Sequence, residues 1–196
     1  MNKKEIAAFF DRMAPEWDAR QITDDAKLAF ILDTAGVREY ATVLDVACGT
    51  GVLFPYYLAR NAARVIGVDI SPEMTRLAAA KLHDPRIEVV CGDIEAVPVL
   101  MRCDACVVYN AFPHFPDPAR LIGRLAMWVK PGGRLTVAHG MSLAALDRHH
   151  QHGAAHVSRR MLEPDALGAL FAPWFQADVK ISDEEKYIVS GVRLPE

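Results

Sequence analysis

The stretch Val43-Leu44-Asp45-Val46-Ala47-Cys48-Gly49-Thr50-Gly51 joins an apolar run to a glycine loop. Residues 42–47 have the aliphatic, β-branched composition of a buried strand, and residues 53–60 read as a helix. Glycines let a backbone approach a ligand closely, and the start of a helix offers unpaired N–H groups. We therefore predict a strand, a tight turn and a helix around a ligand, with Asp45 as a buried acid that needs a partner.

Two known nucleotide-binding loops do not fit this stretch. The dinucleotide fingerprint G-x-G-x-x-G requires a third glycine where this chain has Phe54, and no Gly-Lys-Ser/Thr follows as a P-loop would require. Asp45 would also place a negative charge beside a pyrophosphate. A ligand with a cationic group fits better, because a nearby carboxylate attracts it. The alternative is a generic strand–turn–helix connection with incidental glycines.

Length and composition narrow the class of protein. The chain has 196 residues, 52% of them hydrophobic, and a formal net charge of −3. These values favour one domain with a full core and give no support to bulk nucleic-acid binding. No apolar run approaches a membrane span and no signal-peptide pattern opens the chain, so we expect a cytoplasmic protein without a membrane partner.

The cysteine pair Cys103-x-x-Cys106 has the spacing of a redox motif. It lies at the start of an apolar strand pattern, however, and not at a helix N-terminus, where a reactive thiolate would be favoured. We predict that both thiols are buried as small hydrophobic groups; a redox or zinc pair is the alternative.

Further acidic residues follow two more predicted strands. Residues 64–69 form an apolar run that ends in Asp69, and an acid in this place can accept hydrogen bonds from both ribose hydroxyls. Ser71 and Pro72 then have the residue types of a helix N-cap and first turn. Residues 86–91 lead into Gly92-Asp93, and residues 103–110 end at Asn110. Since ligands bind outside the carboxyl ends of strands in open α/β sheets, we expect residues 110–115 at the active centre.

Taken in order, these motifs resemble the class I S-adenosylmethionine (SAM)-dependent methyltransferases of small-molecule type. The likeness rests on the acid before the G-x-G loop, Asp69-Ile70-Ser71-Pro72-Glu73-Met74, Gly92-Asp93 and Lys130-Pro131-Gly132-Gly133-Arg134-Leu135. It covers nearly the whole chain. It implies a Rossmann-like α/β fold with a seven-stranded, mostly parallel sheet of order 3-2-1-4-5-7-6, an antiparallel last strand and helices on both faces. Residues 177–194 fit its closing hairpin.

The resemblance also implies a set of site residues within one domain over residues 1–196. Residues 1–35 would form a helical cover, with Phe10 and Trp17 near cofactor and substrate, and residues 141–162 a lid after the fifth strand. A plain docking helix is the alternative for the cover. SAM, leaving as S-adenosylhomocysteine, would be held by residues of the strand ends and their loops, namely Asp45, Ala47, Gly49, Gly51, Asp69, Ile70, Met74, Asp93, Ile94 and Asn110.

Histidines are concentrated in the predicted active face. His114 and His139 would follow strands four and five, and His149 and His150 would lie in the lid. Imidazole can act as a general base or bind metal near neutral pH. We therefore name His114 and His139 as candidate bases, and the four histidines together as a candidate metal set. Phe112, His149 and His150 would contact the substrate. An exposed His-rich lid without a metal is the alternative.

The expected reaction is methyl transfer to an O, N, S or C nucleophile of a small molecule. Asn110-Ala111-Phe112-Pro113 departs from the Asn-Pro-Pro-Tyr type of motif, which disfavours amides and nucleobase amines as acceptors. A non-catalytic SAM-binding or sensing protein is one alternative, and an NAD-dependent oxidoreductase a weaker one. We expect no nucleic-acid partner and a monomer or homodimer.

Overall fold

A computed structural model describes residues 1–195, without the side chains of residues 149–153. Its seven strands form one sheet of order β3-β2-β1-β4-β5-β7-β6. The strands are β1 (Thr42–Val46), β2 (Arg64–Asp69), β3 (Ile87–Cys91), β4 (Cys103–Tyr109), β5 (Val129–His139), β6 (Phe175–Ser182) and β7 (Tyr187–Arg193). The first five strands are parallel, and β7 is antiparallel to both of its neighbours. The predicted Rossmann-like order and antiparallel last strand are confirmed.

Eight α-helices surround the sheet in the described part of the chain. They are α1 (Lys3–Met13), α2 (Trp17–Arg20), α3 (Asp25–Thr34), α4 (Phe54–Ala59), α5 (Pro72–Lys81), α6 (Pro118–Trp128), α7 (Leu143–Gly153) and α8 (Pro164–Phe171). As predicted, Ser71 caps α5 by accepting a hydrogen bond from the Met74 N–H, with Pro72 in the first turn. Over residues 1–195, every helix is too short or too polar to cross a bilayer.

The central strand β1 is covered on both faces. It pairs with β2 on one side and β4 on the other. Leu44 and Val46 belong to one apolar cluster and Val43 to another on the opposite side. A parallel sheet buried on both faces requires such a continuous apolar run, which is why residues 42–47 read as a strand in the sequence. Asp45 is therefore surrounded by core.

Strand β5 begins six residues before Leu135, the last residue of the Lys130–Leu135 motif, and is irregular near its start. Val129 already pairs with Cys103, and Arg134 pairs with Ala105, so five steps on β5 oppose two on β4. Gly132 has a φ of +78° within this bulge. The Lys130–Leu135 motif therefore forms an irregularity inside the strand, which hydrophobic periodicity does not detect.

The two cysteines of the Cys-x-x-Cys motif are both buried and not disulfide-bonded. Burial raises the pKa of the Cys103 thiol to about 12, and the pKa of Cys106 is raised by the same cause. Thiols with raised pKa values are poor nucleophiles at neutral pH. The prediction that they serve as core residues is confirmed.

The surroundings of two glycines, one in the glycine loop and one in the β5 bulge, predict different losses of stability on substitution by alanine. Gly51 and Gly132 both have a φ of +78°, but a Cβ on Gly51 would lie 2.6 Å from the Phe54 ring, whereas nothing lies within 4 Å of one on Gly132. We expect Gly132→Ala to lower the free energy of unfolding by about 1–2 kcal/mol, the cost of the left-handed backbone. Gly51→Ala should cost roughly 1–3 kcal/mol more, because the buried Phe54 must move. Urea denaturation measures both, and equal losses would contradict this account.

Candidate cofactor and acceptor site

One cavity lies between the N-terminal helices and the carboxyl ends of β1, β2 and β4. Twelve of the residues predicted from the sequence line it: Phe10, Trp17, Asp45, Ala47, Gly49, Asp69, Ile70, Met74, Asp93, Ile94, Asn110 and His114. These residues come from six separate stretches of the chain. The cavity is where the topology of an open α/β sheet places a ligand site.

Asp45 brings a buried carboxyl group to the edge of this cavity. Its side chain is 2% exposed, and burial, reinforced by the charge of Asp69, raises its pKa well above the usual value. The nearby Tyr57 hydroxyl lowers the pKa of Asp45 in part. By hydrogen-bond geometry, however, both Oδ2 of Asp45 and this hydroxyl lack a partner among the described residues. A buried polar atom without a partner is costly. A cationic group in the cavity would satisfy it.

Asp69 is organised by backbone donors at the end of β2. Its Oδ2 accepts a hydrogen bond from the Gly49 N–H at 2.8 Å, and its Oδ1 accepts one from the Ser71 N–H at 2.9 Å. Burial nevertheless raises the pKa of Asp69. Each carboxylate oxygen can accept a second hydrogen bond. The side chain is thus fixed in place, and both of its oxygens keep the capacity to accept a further hydrogen bond.

The glycine loop provides a backbone surface beside these acids. Ala47 and Gly49 both have φ values of +55°, and the Trp17 indole lies over Gly49, with Nε1 3.8 Å from where a Cβ would be. Positive φ is uncommon in a residue with a Cβ, and such strain clusters at functional sites. Ala47 therefore holds a conformation that suits close approach of a ligand.

Asp93 follows β3 and lies on the side of the cavity away from the loop that follows β4. Its Oδ2 lies 2.6 Å from Lys3 Nζ, and its Oδ1 accepts a hydrogen bond from the Glu95 N–H. Lys3 also pairs with the Glu95 carboxylate. Ile94 lines the same region. The sequence reasoning missed Lys3, because its partners are 90 and more positions away and helical periodicity shows only the apolar side of α1.

The N-terminal segment is fixed over the cavity by two further acids. Asp11 Oδ1 accepts hydrogen bonds from the Ser71 hydroxyl at 2.5 Å and from the Glu73 N–H at 3.1 Å. Asp18 Oδ2 lies 2.7 Å from Lys81 Nζ, and Lys81 lowers the pKa of Asp18. Residues 3–20 therefore contact the ends of the loops that follow β1, β2 and β3.

Aromatic rings line the end of the cavity near β4. The Phe10 ring lies edge-on to Trp17 at 5.7 Å and to His114 at 4.9 Å between ring centroids. Asn110 is held by a hydrogen bond from the Gly140 N–H to its Oδ1. Tyr109 joins this lining, as does Phe115 of the expected loop of residues 110–115. Gln21 and Pro116 also line it, and the sequence reasoning did not select them.

Three predicted site residues do not line the cavity. Gly51 packs its backbone against the Phe54 ring and not against the cavity. Phe112 is 1% exposed and belongs to the core, so it does not contact a substrate as predicted. His139 is fully buried beside Tyr187, with 6.1 Å between ring centroids. Side chains alternate between the two faces at a strand end, and sequence position alone does not give the face.

The predicted metal set is not assembled by the side chains that the structure describes. Among these side chains, no three His, Cys, Asp or Glu residues converge as a metal site would require. His149 and His150 lie outside the described side chains, for the metal prediction and for the substrate-contact prediction alike. The metal site therefore stays a prediction.

Comparison with known proteins agrees with this geometry. Residues 43–133 match the family model of a methyltransferase domain. The complex of DhpI with S-adenosylhomocysteine shares the fold, with a TM-score of 0.76 over 99% of this chain and 98% of that one, at 19% identity. Residues 43–133 therefore match a methyltransferase domain, and the chain has the fold of known SAM-dependent methyltransferases.

Curated relatives of this methyltransferase domain are longer proteins. A ubiquinone biosynthesis O-methyltransferase of Xylella fastidiosa is 37% identical over 106 residues, which are 50% of this chain and 41% of that protein. A malonyl-[acyl-carrier protein] O-methyltransferase of Acetivibrio thermocellus is 27% identical over 168 residues, 84% of this chain and 58% of that protein. The chain thus spans about two fifths to three fifths of the relatives it matches.

The buried carboxyl of Asp45 predicts a stabilising substitution in the methyltransferase domain. Because its pKa is raised on folding, the wild type loses stability as the pH rises above the ordinary carboxyl value of 3.8. Asp45→Asn avoids this ionisation. We expect the variant without ligand to unfold at higher urea near pH 8, by on the order of 1 kcal/mol, with the gain shrinking toward pH 4.

Asp84→Asn is the control, because we expect it to change the stability in the opposite direction. Arg86 lowers the pKa of Asp84 to about 2, so its contribution is present at neutral pH and lost as the pH falls toward that value. This variant should be slightly less stable than the wild type near neutral pH. An Asp45→Asn variant that is also less stable near pH 8 would contradict the unsatisfied-carboxyl account.

The contacts of Asp18 predict how firmly the N-terminal segment is held. Asp18→Ala removes the Lys81 ion pair and the hydrogen bond with the buried Thr50 hydroxyl. Because the pair is partly exposed, we expect about 1 kcal/mol or less of local destabilisation, and amide hydrogen exchange about two- to fivefold faster in residues 3–17. Glu16→Ala is the matched control, since Glu16 pairs only with the neighbouring Arg20. Equal exchange in both variants would show that the Asp18 contacts do not hold the segment.

Proposed function

We propose that this protein transfers a methyl group from SAM to the oxygen of a small-molecule acceptor. The observation that carries the proposal is the unsatisfied, buried carboxyl of Asp45 facing a cavity that Asp69 also enters. The residues fit the cofactor chemically. Asp45 would bind the ammonium group of the methionine part, Asp69 the ribose hydroxyls, and the apolar side chains of Ile70, Met74 and Ile94 the adenine.

The role of Asp93 follows from its ion pair with Lys3. Lys3 bonds to one carboxylate oxygen and the Glu95 N–H to the other, which leaves each oxygen one further acceptor position. We propose that Asp93 serves both functions, closing the N-terminal segment over the adenine and accepting from its amino group. Asn110 and Ala47 complete the lining beside the methionine part.

SAM, when bound, supplies a methyl group activated by its sulfonium. The residues of this chain position the reactants, which lowers the barrier of such a transfer. The N-terminal segment excludes water through the contacts of Lys3, Asp11 and Asp18. At the acceptor end, Phe10 and Trp17 offer ring surfaces to the substrate, and His114 accepts a proton where the acceptor must lose one.

The nature of the acceptor is drawn from the relatives and the lining. The two relatives named above act on oxygen, as their names state, and the acceptor end of the cavity is mainly aromatic and apolar. We propose an uncharged or weakly acidic small molecule as acceptor, in a cytoplasmic protein that binds neither nucleic acid nor membrane and is a monomer or homodimer. Residues 1–196 would form one domain, with residues 1–35 as cover and 141–162 as lid.

Calorimetric titration with SAM and S-adenosylhomocysteine tests the cofactor. We expect micromolar binding of both. Asp69→Ala should weaken SAM binding by roughly 1–3 kcal/mol, or about 5- to 150-fold, because the ribose hydroxyls lose their acceptor. Asp165→Ala is the control, since Asp165 pairs with Lys180 on the surface away from the cavity. Unchanged affinity in a folded Asp69→Ala variant would remove its assigned role, and no binding by the wild type would refute the proposed function.

A further inference from the structure

His114 is contacted by a segment that comes from the region after β5. It ends the short 3-10 turn Phe112–His114, and its ring lines the cavity. Its Nδ1 lies 2.9 Å from the Val157 carbonyl oxygen and 3.2 Å from the Ser158 hydroxyl. More than 40 positions of sequence separate the histidine from these two partners.

The Val157 contact determines which ring nitrogen carries the proton. A carbonyl oxygen can only accept a hydrogen bond, so Nδ1 of His114 must be the donor. In the neutral ring, the lone pair then lies on Nε2. The side of the ring away from the Val157–Ser158 segment is therefore the basic side.

The segment that supplies this carbonyl is itself firmly docked. Val157 is fully buried and clusters with Ile6 and Ala154, against Phe9 and Phe10 of α1 and Ile70. Its N–H bonds to the Ala154 carbonyl, and the Arg159 N–H bonds to the Pro113 carbonyl beside the histidine. The position of the Val157 carbonyl thus depends on the N-terminal segment as well as on the turn that holds His114.

We propose that Val157 and Ser158 are positioning residues that hold His114 as the Nδ1–H tautomer, so that Nε2 accepts the proton of an acceptor hydroxyl. The inference rests on the proposed function and narrows its acceptor to hydroxylated compounds that fit among Phe10 and Trp17. Docking of the N-terminal segment against Val157 then assembles the base at the same time as it closes the cavity.

The proposed methyl transfer needs only the acceptor, SAM and His114. The O–H bond of the acceptor breaks, its proton moves to Nε2, and the oxygen electron pair forms the new bond to the methyl carbon. The bond between methyl and sulfur breaks, and its electron pair stays on sulfur as a neutral thioether. His114 is left as imidazolium and returns its proton to solvent after the products leave.

Nuclear magnetic resonance of protein labelled with 15N-histidine tests the tautomer without any substrate. We expect His114 to show a protonated Nδ1 and an unprotonated Nε2, with its signals assigned by their loss in His114→Gln and their retention in the exposed-site control His83→Gln. In Val157→Ala the two nitrogen shifts should move toward each other as the tautomers mix. Val99→Ala, a half-buried valine outside the cavity, should leave them unchanged.

Two results would overturn the proposal while leaving the proposed function intact. An Nε2–H tautomer at His114 in the wild type overturns it, even where SAM binds the same sample. A Val157→Ala spectrum identical to that of the wild type shows that the packing of the Val157 side chain does not position the carbonyl and the ring. If that variant does not fold, Ser158→Ala takes its place, with the same direction expected and Ser182→Ala as control. Absence of SAM binding refutes the function itself, and the proposal with it.

Discussion

A carboxyl group buried in the central strand is the constraint around which this structure is arranged. Asp45 lies between β2 and β4, where an aliphatic side chain would be more stable, and its Oδ2 has no hydrogen-bond partner among the described residues. Desolvation makes its ionised form costly in the protein without ligand. In the proposed function a cationic ligand would offset this cost, so the group that destabilises the protein without ligand would also select the ligand.

The surrounding elements fix the groups near Asp45 by backbone hydrogen bonds. Asp69 accepts from the N–H groups of Gly49 and Ser71, which ties the first glycine loop to the start of α5. Because these donors are on the main chain, their geometry survives most side-chain changes. The two acids are thereby placed before any ligand arrives, which lowers the entropic cost of binding.

The N-terminal segment and the region after β5 pack against each other beside the cavity and cover it. The first is held by ion pairs and hydrogen bonds that are partly exposed, and the second packs on it through the buried Val157. Contacts of this kind are individually weak and allow the segment to open for exchange of ligands. Since Val157 also bonds to His114, closing the cavity and orienting the histidine are one structural event.

The sequence by itself determined the strands around the glycine loop, the loop and the acids at the strand ends, because buried parallel strands and helix caps leave local patterns of apolar runs, glycines and N-cap residues. The sheet order followed only from the resemblance to a known family. The sequence did not reveal the bulge in β5 or the partners of Lys3, Asp11 and Asp18, which lie far apart along the chain. It also treated His114 and His139 as equivalent. Only the tertiary structure separated them, placing one ring in the cavity and the other in the core, because the direction of a side chain at a strand end is set by packing on both faces of the sheet.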